Sequence, residues 1–292
     1  MTHSLKVLKT RSELEAWRAE QKHVALVPTM GALHAGHMAL VDRAASEGMC
    51  VLVSIFVNPT QFNRPEDLSS YPRDEEGDLA RLAQSSAQAV WFPEVADLYP
   101  QGVVSEQFDL LGLDTRLEGA LRPGHFQGVA TVVDRLFTAC RPDKAYFGLK
   151  DFQQVAVVRR LAELRGGTPV IVSCRTTREA DGLAMSSRNR LLRPEQRAAA
   201  PAIFRALQWA AREVSEFPVP PKALKRELRK EVEREQLLKV ESIDFVFSDT
   251  LEAVADPDRP VDSYGRSVQT LISVYAGEVR LIDNAPLYLC RP

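Results

Sequence analysis

From Cys50 to Val57 the chain reads Cys-Val-Leu-Val-Ser-Ile-Phe-Val, apolar at every position except Ser54. A strand with one wet face alternates apolar and polar residues. One this continuous has to be covered on both faces, which is the situation of a strand inside a parallel sheet with helices packed above and below. Segments of similar character recur before and after it: His23–Thr29, Ala89–Phe92, Lys144–Phe147 and Pro169–Ser173. Met38, Leu40 and Val41 mark a helix between the first two strands, and Asp78–Gln84 reads as another. Val129, Val132, Val133, Leu136, Phe137 and Cys140 recur on one face of a 3.6-residue period. Asp151–Leu164 is a further helix, stopped by Gly166-Gly167. Strands alternating with helices in this way predict a Rossmann-like, doubly wound parallel-sheet domain over residues 1–176.

Beyond residue 176 the alternation stops. A long Ala-rich helix is expected over Pro194–Glu216, a break at Phe217–Pro221, and a charged helix over Lys222–Leu238 whose run from Lys222 to Glu235 reads as a solvated face. Val240–Phe247, Thr270–Tyr275 and Val279–Ile282 read as strands, the last two joined by a hairpin at Ala276-Gly277-Glu278. These elements predict a smaller α+β domain over residues 177–292. The length of 292 residues suits two domains or one large one.

Composition narrows the function classes. With 45% hydrophobic and 26% charged residues the chain lies far from the disordered regime. A net charge of −2 supplies no global field for nucleic acid. No stretch approaches a membrane span, and Met1-Thr2-His3-Ser4-Leu5-Lys6 lacks the apolar core of a signal peptide, so a cytoplasmic location without membrane contact is expected. Cys50, Cys140, Cys174 and Cys290 are widely separated, form no Cys-x-x-Cys pair and are expected to be reduced.

The most informative polar constellation is Pro28-Thr29-Met30-Gly31-Ala32-Leu33-His34-Ala35-Gly36-His37, where a strand hands over to a helix. That is a carboxyl end of an α/β strand, where ligands bind. Gly31 and Gly36 allow close backbone approach, and the helix start offers unpaired N–H groups to phosphate oxygens. Two imidazoles there can donate to charge building up on a transferring phosphate. The alternative is a turn with two incidental histidines; a zinc site lacks nearby third and fourth ligands. Asn58-Pro59-Thr60-Gln61-Phe62 ends the second strand at the same edge, and fits either a small polar ligand or an ordinary turn and cap. Lys150 opens a helix, where the dipole disfavours a cation unless an anion compensates; an ordinary surface lysine is equally consistent. Ser186, Ser187 and Arg188 place two hydroxyls and a guanidinium together, suited to a phosphate chain, or form a cap region ahead of the Pro194 helix.

Taken together, these segments resemble the pantoate:beta-alanine ligase family of the His-x-Gly-His adenylyl-transferring superfamily. The likeness rests on the histidine turn, on Phe56–Phe62, Tyr71-Pro72-Arg73, Leu117-Glu118-Gly119 with Arg122–Phe126, Phe147-Gly148 with Lys150–Gln154, and Asp181–Asn189, all in the family's order. From Pro194 onward it is one of pattern alone. The resemblance implies an AMP-forming ligase that condenses pantoate with beta-alanine through a pantoyl adenylate, using ATP with Mg²⁺, as a homodimer, with no nucleic acid or membrane partner and with the C-terminal domain as a lid. It implies ATP contacts from Met30, Gly31, His34, Gly36, His37, Gly148, Lys150, Asp151, Thr177, Met185, Ser186, Ser187 and Arg188. Of these, His34, His37, Lys150, Ser186, Ser187 and Arg188 would be catalytic. Pro28, Met30, Asn58, Gln61, Arg122, His125 and Gln154 would contact pantoate or beta-alanine, and Asp78 would lie near the magnesium. Leu149, where the family usually has Glu or Gln, and Arg175, where Pro is usual, depart from the pattern without removing a phosphate contact. A nucleotidyl transferase lacking the amide-forming step is disfavoured by Gln61 and Gln154, and a catalytically silent homologue by the joint presence of His34, His37, Lys150, Ser187 and Arg188.

Overall fold

A strand covered on both faces must send alternate side chains into two separate cores, and the first part of the chain is built this way. The computed structural model describes residues 4–62, 68–69 and 71–290; Met1, Thr2 and His3 of the start read above lie outside these. The chain divides into two units, Met1–Thr176 and Thr177–Pro292. In the first, β1 (Lys6–Leu8), β2 (Val24–Thr29), β3 (Cys50–Ile55), β4 (Ala89–Trp91), β5 (Lys144–Gly148) and β6 (Val170–Cys174) form one sheet in the order β1-β4-β3-β2-β5-β6. Every neighbouring pair is parallel.

The helices of this unit are α1 (Arg11–Glu20), α2 (Ala35–Ser46), α3 (Glu75–Ala83), α4 (Val95–Leu98), α5 (Glu118–Leu121), α6 (His125–Cys140) and α7 (Phe152–Leu164). Val51 and Val53 join Ala25, Val27 and Val90 beneath Leu40, Val41 and Ala44 of α2. Leu52 points the other way, with Val24, Leu26 and Trp91, against Trp17 of α1, Phe137 of α6 and Val158 of α7. The apolar run of β3 therefore serves two cores. Truncating a buried member such as Leu52 to Ala would remove about 2–5 kcal/mol.

Sheet growth proceeds from β2 through β3 to β4 on one side, and through β5 to β6 on the other. The loops after β2 and β5 thus flank the topological switch point, where open α/β sheets bind ligands. Pro28 sits at this divergence. The Thr29 carbonyl accepts from Phe56 N–H on the β3 side and the Val24 carbonyl from Asp143 N–H on the β5 side. By alternation Pro28 faces β5, whose pairing with β2 ends at Leu26, so its missing N–H is not required there.

The second unit contains α8 (Pro194–Ala199), α9 (Ala202–Glu216), α10 (Pro221–Glu233) and an antiparallel sheet of β7 (Leu238–Phe247), β8 (Val268–Ala276) and β9 (Val279–Tyr288) in the order β7-β8-β9. Ile203, Leu207 and Ala210 of α9 and Leu224, Leu228 and Val232 of α10 pack on Val240, Ile272 and Leu281 of the sheet. The long helix expected over Pro194–Glu216 is two helices. Pro201 has no N–H and its ring crowds the preceding turn, so helix α8 ends before it. The charged helix also ends earlier than expected, and Leu238 already belongs to β7. Both expected architectures, doubly wound α/β and α+β, are present.

Candidate active site

The turn after β2 is held from three sides. Thr29 Oγ1 donates to the Ser54 carbonyl at 2.9 Å and accepts from Gly31 N–H at 3.3 Å. Gly31 adopts φ +83°, a conformation open to glycine, and a Cβ there would lie 3.0 Å from Asp78 Oδ2. Asp78, on α3, is buried, and its two oxygens accept from the Ala32 and Leu33 N–H groups at 2.9 and 2.6 Å. The structure thus gives Asp78 a positioning task that the sequence did not show.

His34 is the N-cap of α2, and its Nδ1 accepts from Gly36 N–H at 3.1 Å. His37 reciprocates: its Nδ1 accepts from His34 N–H at 3.3 Å. Two imidazoles here do what Ser and Glu do in an ordinary capping box. Because Nδ1 accepts in both rings, the neutral form of each carries its proton on Nε2. The ring centroids are 4.0 Å apart. Burial first, then the neighbouring charges of His34 and Lys150, lower the His37 pKa to about 3, so it is a neutral donor at physiological pH. Lys150 lies on the turn after β5, which ends at Gly148, so its influence on His37 shows the β2 and β5 loops converging. Lys150 Nζ also pairs with Asp151 Oδ1 at 3.3 Å, which meets the need of this helix-start cation for an anion.

After β3 the chain makes a single 3₁₀ turn, Pro59–Gln61, with Asn58 and Gln61 buried. Gln61 Nε2 lies 2.8 Å from Met30 Sδ, joining this turn to the one that carries the histidines. His125 Nδ1 donates to the Gln61 carbonyl at 2.8 Å, and its Nε2 accepts from Arg122 Nη1 at 3.1 Å. Arg122 Nη2 donates to the same carbonyl at 3.3 Å. Met30, Gln61, Arg122 and His125, distant in sequence, are one cluster. Gln154 is half-buried on α7, while its neighbour Gln153 is buried and holds the preceding loop through Leu113, Arg116 and Glu118. Leu149 packs against the core shared by α6 and α7, and Arg175 is exposed just after β6.

In the second unit the segment Thr177–Arg188 folds back on itself. Arg178 and Ala184 bridge, and Met185 N–H donates to the Thr177 carbonyl at 3.0 Å. Arg178 pairs with both oxygens of Asp283 on β9, at 2.7 and 2.9 Å, and stacks 3.6 Å over Phe204. Ser186 Oγ accepts from Arg188 N–H at 3.3 Å and caps the 3₁₀ turn Ser187–Leu191, in which Ser187 is buried and Arg188 half-buried. The cap reading of these hydroxyls therefore holds for Ser186, toward this turn and not toward the Pro194 helix.

The family model for pantoate-beta-alanine ligase matches residues 3–286. The chain belongs to the pantoate-beta-alanine ligase family. It is 46% identical over 274 residues to the pantothenate synthetase of Rhizobium rhizogenes, covering 94% of this chain and 92% of that one. It is 42% identical over 280 residues to that of Herpetosiphon aurantiacus, covering 96% and 99%. The crystal structure of pantothenate synthetase from Thermus thermophilus matches with a TM-score of 0.85 at 41% identity, covering 97% and 100%. The pantoate-beta-alanine ligase of Francisella tularensis, crystallised with beta-gamma ATP and beta-alanine, matches with a TM-score of 0.80 at 30% identity, covering 97% and 98%.

Around these segments the structure adds supporting residues that motif reading gave no role: Tyr99, Gly128, Gln153 and Asp283. Gly128 was hidden because its signal is an absence: a Cβ on it would lie 2.3 Å from the Thr60 carbonyl oxygen, so only glycine lets α6 approach the Asn58–Gln61 turn.

Proposed function

We infer that the chain is an ATP-dependent ligase that joins (R)-pantoate to beta-alanine through a pantoyl adenylate, releasing pyrophosphate and then AMP, in pantothenate and coenzyme A biosynthesis. The observation that carries this is the pair of Nε2–H imidazoles held by backbone capping beside Lys150 at the switch point, in a chain that matches the ligase family almost end to end. The Francisella relative's complex with beta-gamma ATP and beta-alanine supports the two substrates.

A carboxylate oxygen is a poor leaving group, and attachment of AMP makes it a good one. In the first step the pantoate carboxylate attacks the α-phosphorus and the bond to pyrophosphate breaks. His34 and His37 donate from Nε2 to the phosphate oxygens as charge redistributes, and Lys150 supplies a fixed positive charge; each well-aimed donor is worth roughly 3–4 kcal/mol. In this reading Met30, Gly31, Gly36, Gly148 and Asp151 are the first unit's contacts to the nucleotide and Thr177 and Met185 the second's, with Ser186, Ser187 and Arg188 as donors to the phosphate chain. Pro28, Met30, Asn58, Gln61, Arg122, His125 and Gln154 form the acid and amine pocket. In the second step the beta-alanine amine attacks the acyl carbon and AMP leaves. Alignment and charge stabilisation suffice; no strong acid or base is required.

Among the described residues no cluster of three or more His, Cys, Asp or Glu could hold a metal ion, which fits a magnesium carried largely by nucleotide oxygens. Asp78 is the carboxylate bonded to the histidine turn, and it is the candidate to approach the magnesium. Bound there, magnesium would neutralise phosphate charge. Among the described residues no helix is long and apolar enough to cross a membrane. A cytoplasmic homodimer is part of this reading, and sedimentation of the purified protein tests the dimer.

The deciding experiment is ATP–pyrophosphate exchange with Mg²⁺ and pantoate in the absence of beta-alanine, followed by its addition. Pantoate-dependent exchange, then equimolar AMP and pantothenate, is the expected result. ATP binding without exchange would overturn the reading.

A further inference from the structure

The orientation of a carboxamide decides whether a pocket offers a donor or an acceptor, and in this chain that orientation is set by a sequence of contacts beginning at the Gly128 carbonyl and supported by Tyr99. The Gly128 carbonyl can only accept, so the Asn58 atom 3.2 Å from it is the amide nitrogen. Asn58 Oδ1 is then turned toward Tyr99, whose hydroxyl donates to it at 2.5 Å. The same Asn58 nitrogen lies 3.2 Å from Gln61, and an N–H there requires an acceptor opposite, so Gln61 presents Oε1 to Asn58. Its Nε2 is left at the far end, against Met30 Sδ, a weak acceptor that a ligand oxygen would outcompete.

We propose that Tyr99 is a positioning residue for the acid substrate: by donating to Asn58 Oδ1 it reinforces the amide orientation that the Gly128 carbonyl sets, and so helps hold the Gln61 carboxamide with its N–H end toward the histidine turn, so that the pocket takes carboxylate or hydroxyl oxygen. The proposal deepens the ligase reading and rests on it. Tyr99 is well placed for this task. The residue is 3% exposed, and its ring stacks with Phe56 at 6.4 Å and is covered by the Arg135 guanidinium 4.1 Å above it. Burial also raises its pKa, so the hydroxyl stays protonated. Thr60 Oγ1, 3.0 Å from the Tyr99 hydroxyl and 3.2 Å from Asn58 Oδ1, completes the arrangement. With Gln61 reversed, a carbonyl oxygen would meet the substrate carboxylate and repel it.

Tyr99→Phe retains the ring and removes the donor. In pantoate-dependent ATP–pyrophosphate exchange it is expected to raise the KM for pantoate about fivefold, the effect of one lost hydrogen bond, with the KM for ATP and the melting temperature close to wild type. Asn58→Leu removes the relay, so adding Tyr99→Phe to it should raise the pantoate KM no further. An unchanged pantoate KM in Tyr99→Phe, or single-variant effects that multiply in the double variant, would overturn the relay while wild-type exchange upholds the ligase reading. Wild-type protein without pantoate-dependent exchange would overturn both.

Discussion

His37 holds the N-terminus of α2 with one ring nitrogen and, in the proposed reaction, donates from the other, so its substitution touches stability and catalysis differently. Loss of the Nε2 donor in His37→Ala is expected to slow adenylate formation by roughly 10²-fold or more, measured as pyrophosphate exchange, with the fold retained in circular dichroism. The pH dependence follows from its burial. His37 titrates near 6.5 in the unfolded chain and at about 3 in the folded one. Between those values the unfolded state binds the extra proton, so stability falls as pH drops through that window, by at most about 1.4 kcal/mol per pH unit. Urea unfolding between pH 7 and pH 4 should show a shallower loss for His37→Gln than for wild type; equal slopes would mean that His37 is not held neutral. Asp78→Asn tests the support beneath the turn. Its amide would set an N–H donor against one of the Ala32 and Leu33 donors, and a loss of about 1–3 kcal/mol is expected, together with slower exchange. An Asp78→Asn protein as stable as wild type would show that the turn keeps its shape without the carboxylate.

Among the elements, α6 is the one whose placement depends most on a single small residue. Gly128→Ala would drive a methyl into the Thr60 carbonyl and part α6 from the Asn58–Gln61 turn. The expected effect is a destabilisation of about 1–3 kcal/mol with a raised KM for pantoate, read from thermal unfolding and exchange kinetics; a wild-type melting temperature would show that the helix shifts freely. Other elements differed in how visible they were. The face of α6 was plain because its apolar residues repeat over three turns. Strand β1, three residues long, carries no readable period, and α1 buries only Leu14 and Trp17. The start of α1 did leave a trace: Thr10 and Glu13 form a capping box, and the Thr-x-x-Glu spacing announces it. The division of the Ala-rich helix was also written in the chain, at Pro201, whose effect on the helix outweighs the propensity of the alanines around it.

Across the whole molecule, each hydrophobic core is confined to one unit. The residues packed on the parallel sheet all precede residue 176, and those packed on β7, β8 and β9 all follow it. A fragment spanning residues 177–292 is therefore expected to melt cooperatively on its own in calorimetry. A broad, non-cooperative trace would show that its core needs residues from the first unit.

The amino-acid sequence by itself determined the fold class, because periodicity and continuous apolar runs are local consequences of which faces must leave water. It also singled out the candidate reacting groups, since the histidine turn, Lys150 and the Ser186–Arg188 segment are contiguous motifs with chemistry of their own. Only the tertiary structure decided how those groups are held. The Nε2 tautomers follow from backbone N–H groups aimed at Nδ1, the Asp78 clamp joins residues 45 and 46 positions apart, and the chain from Gly128 and Tyr99 through Asn58 to Gln61 crosses separations of 70, 41 and 3 positions. Hydrogen-bond direction and close backbone approach depend on where distant carbonyls and carboxylates end up, and no local pattern of residue types encodes that.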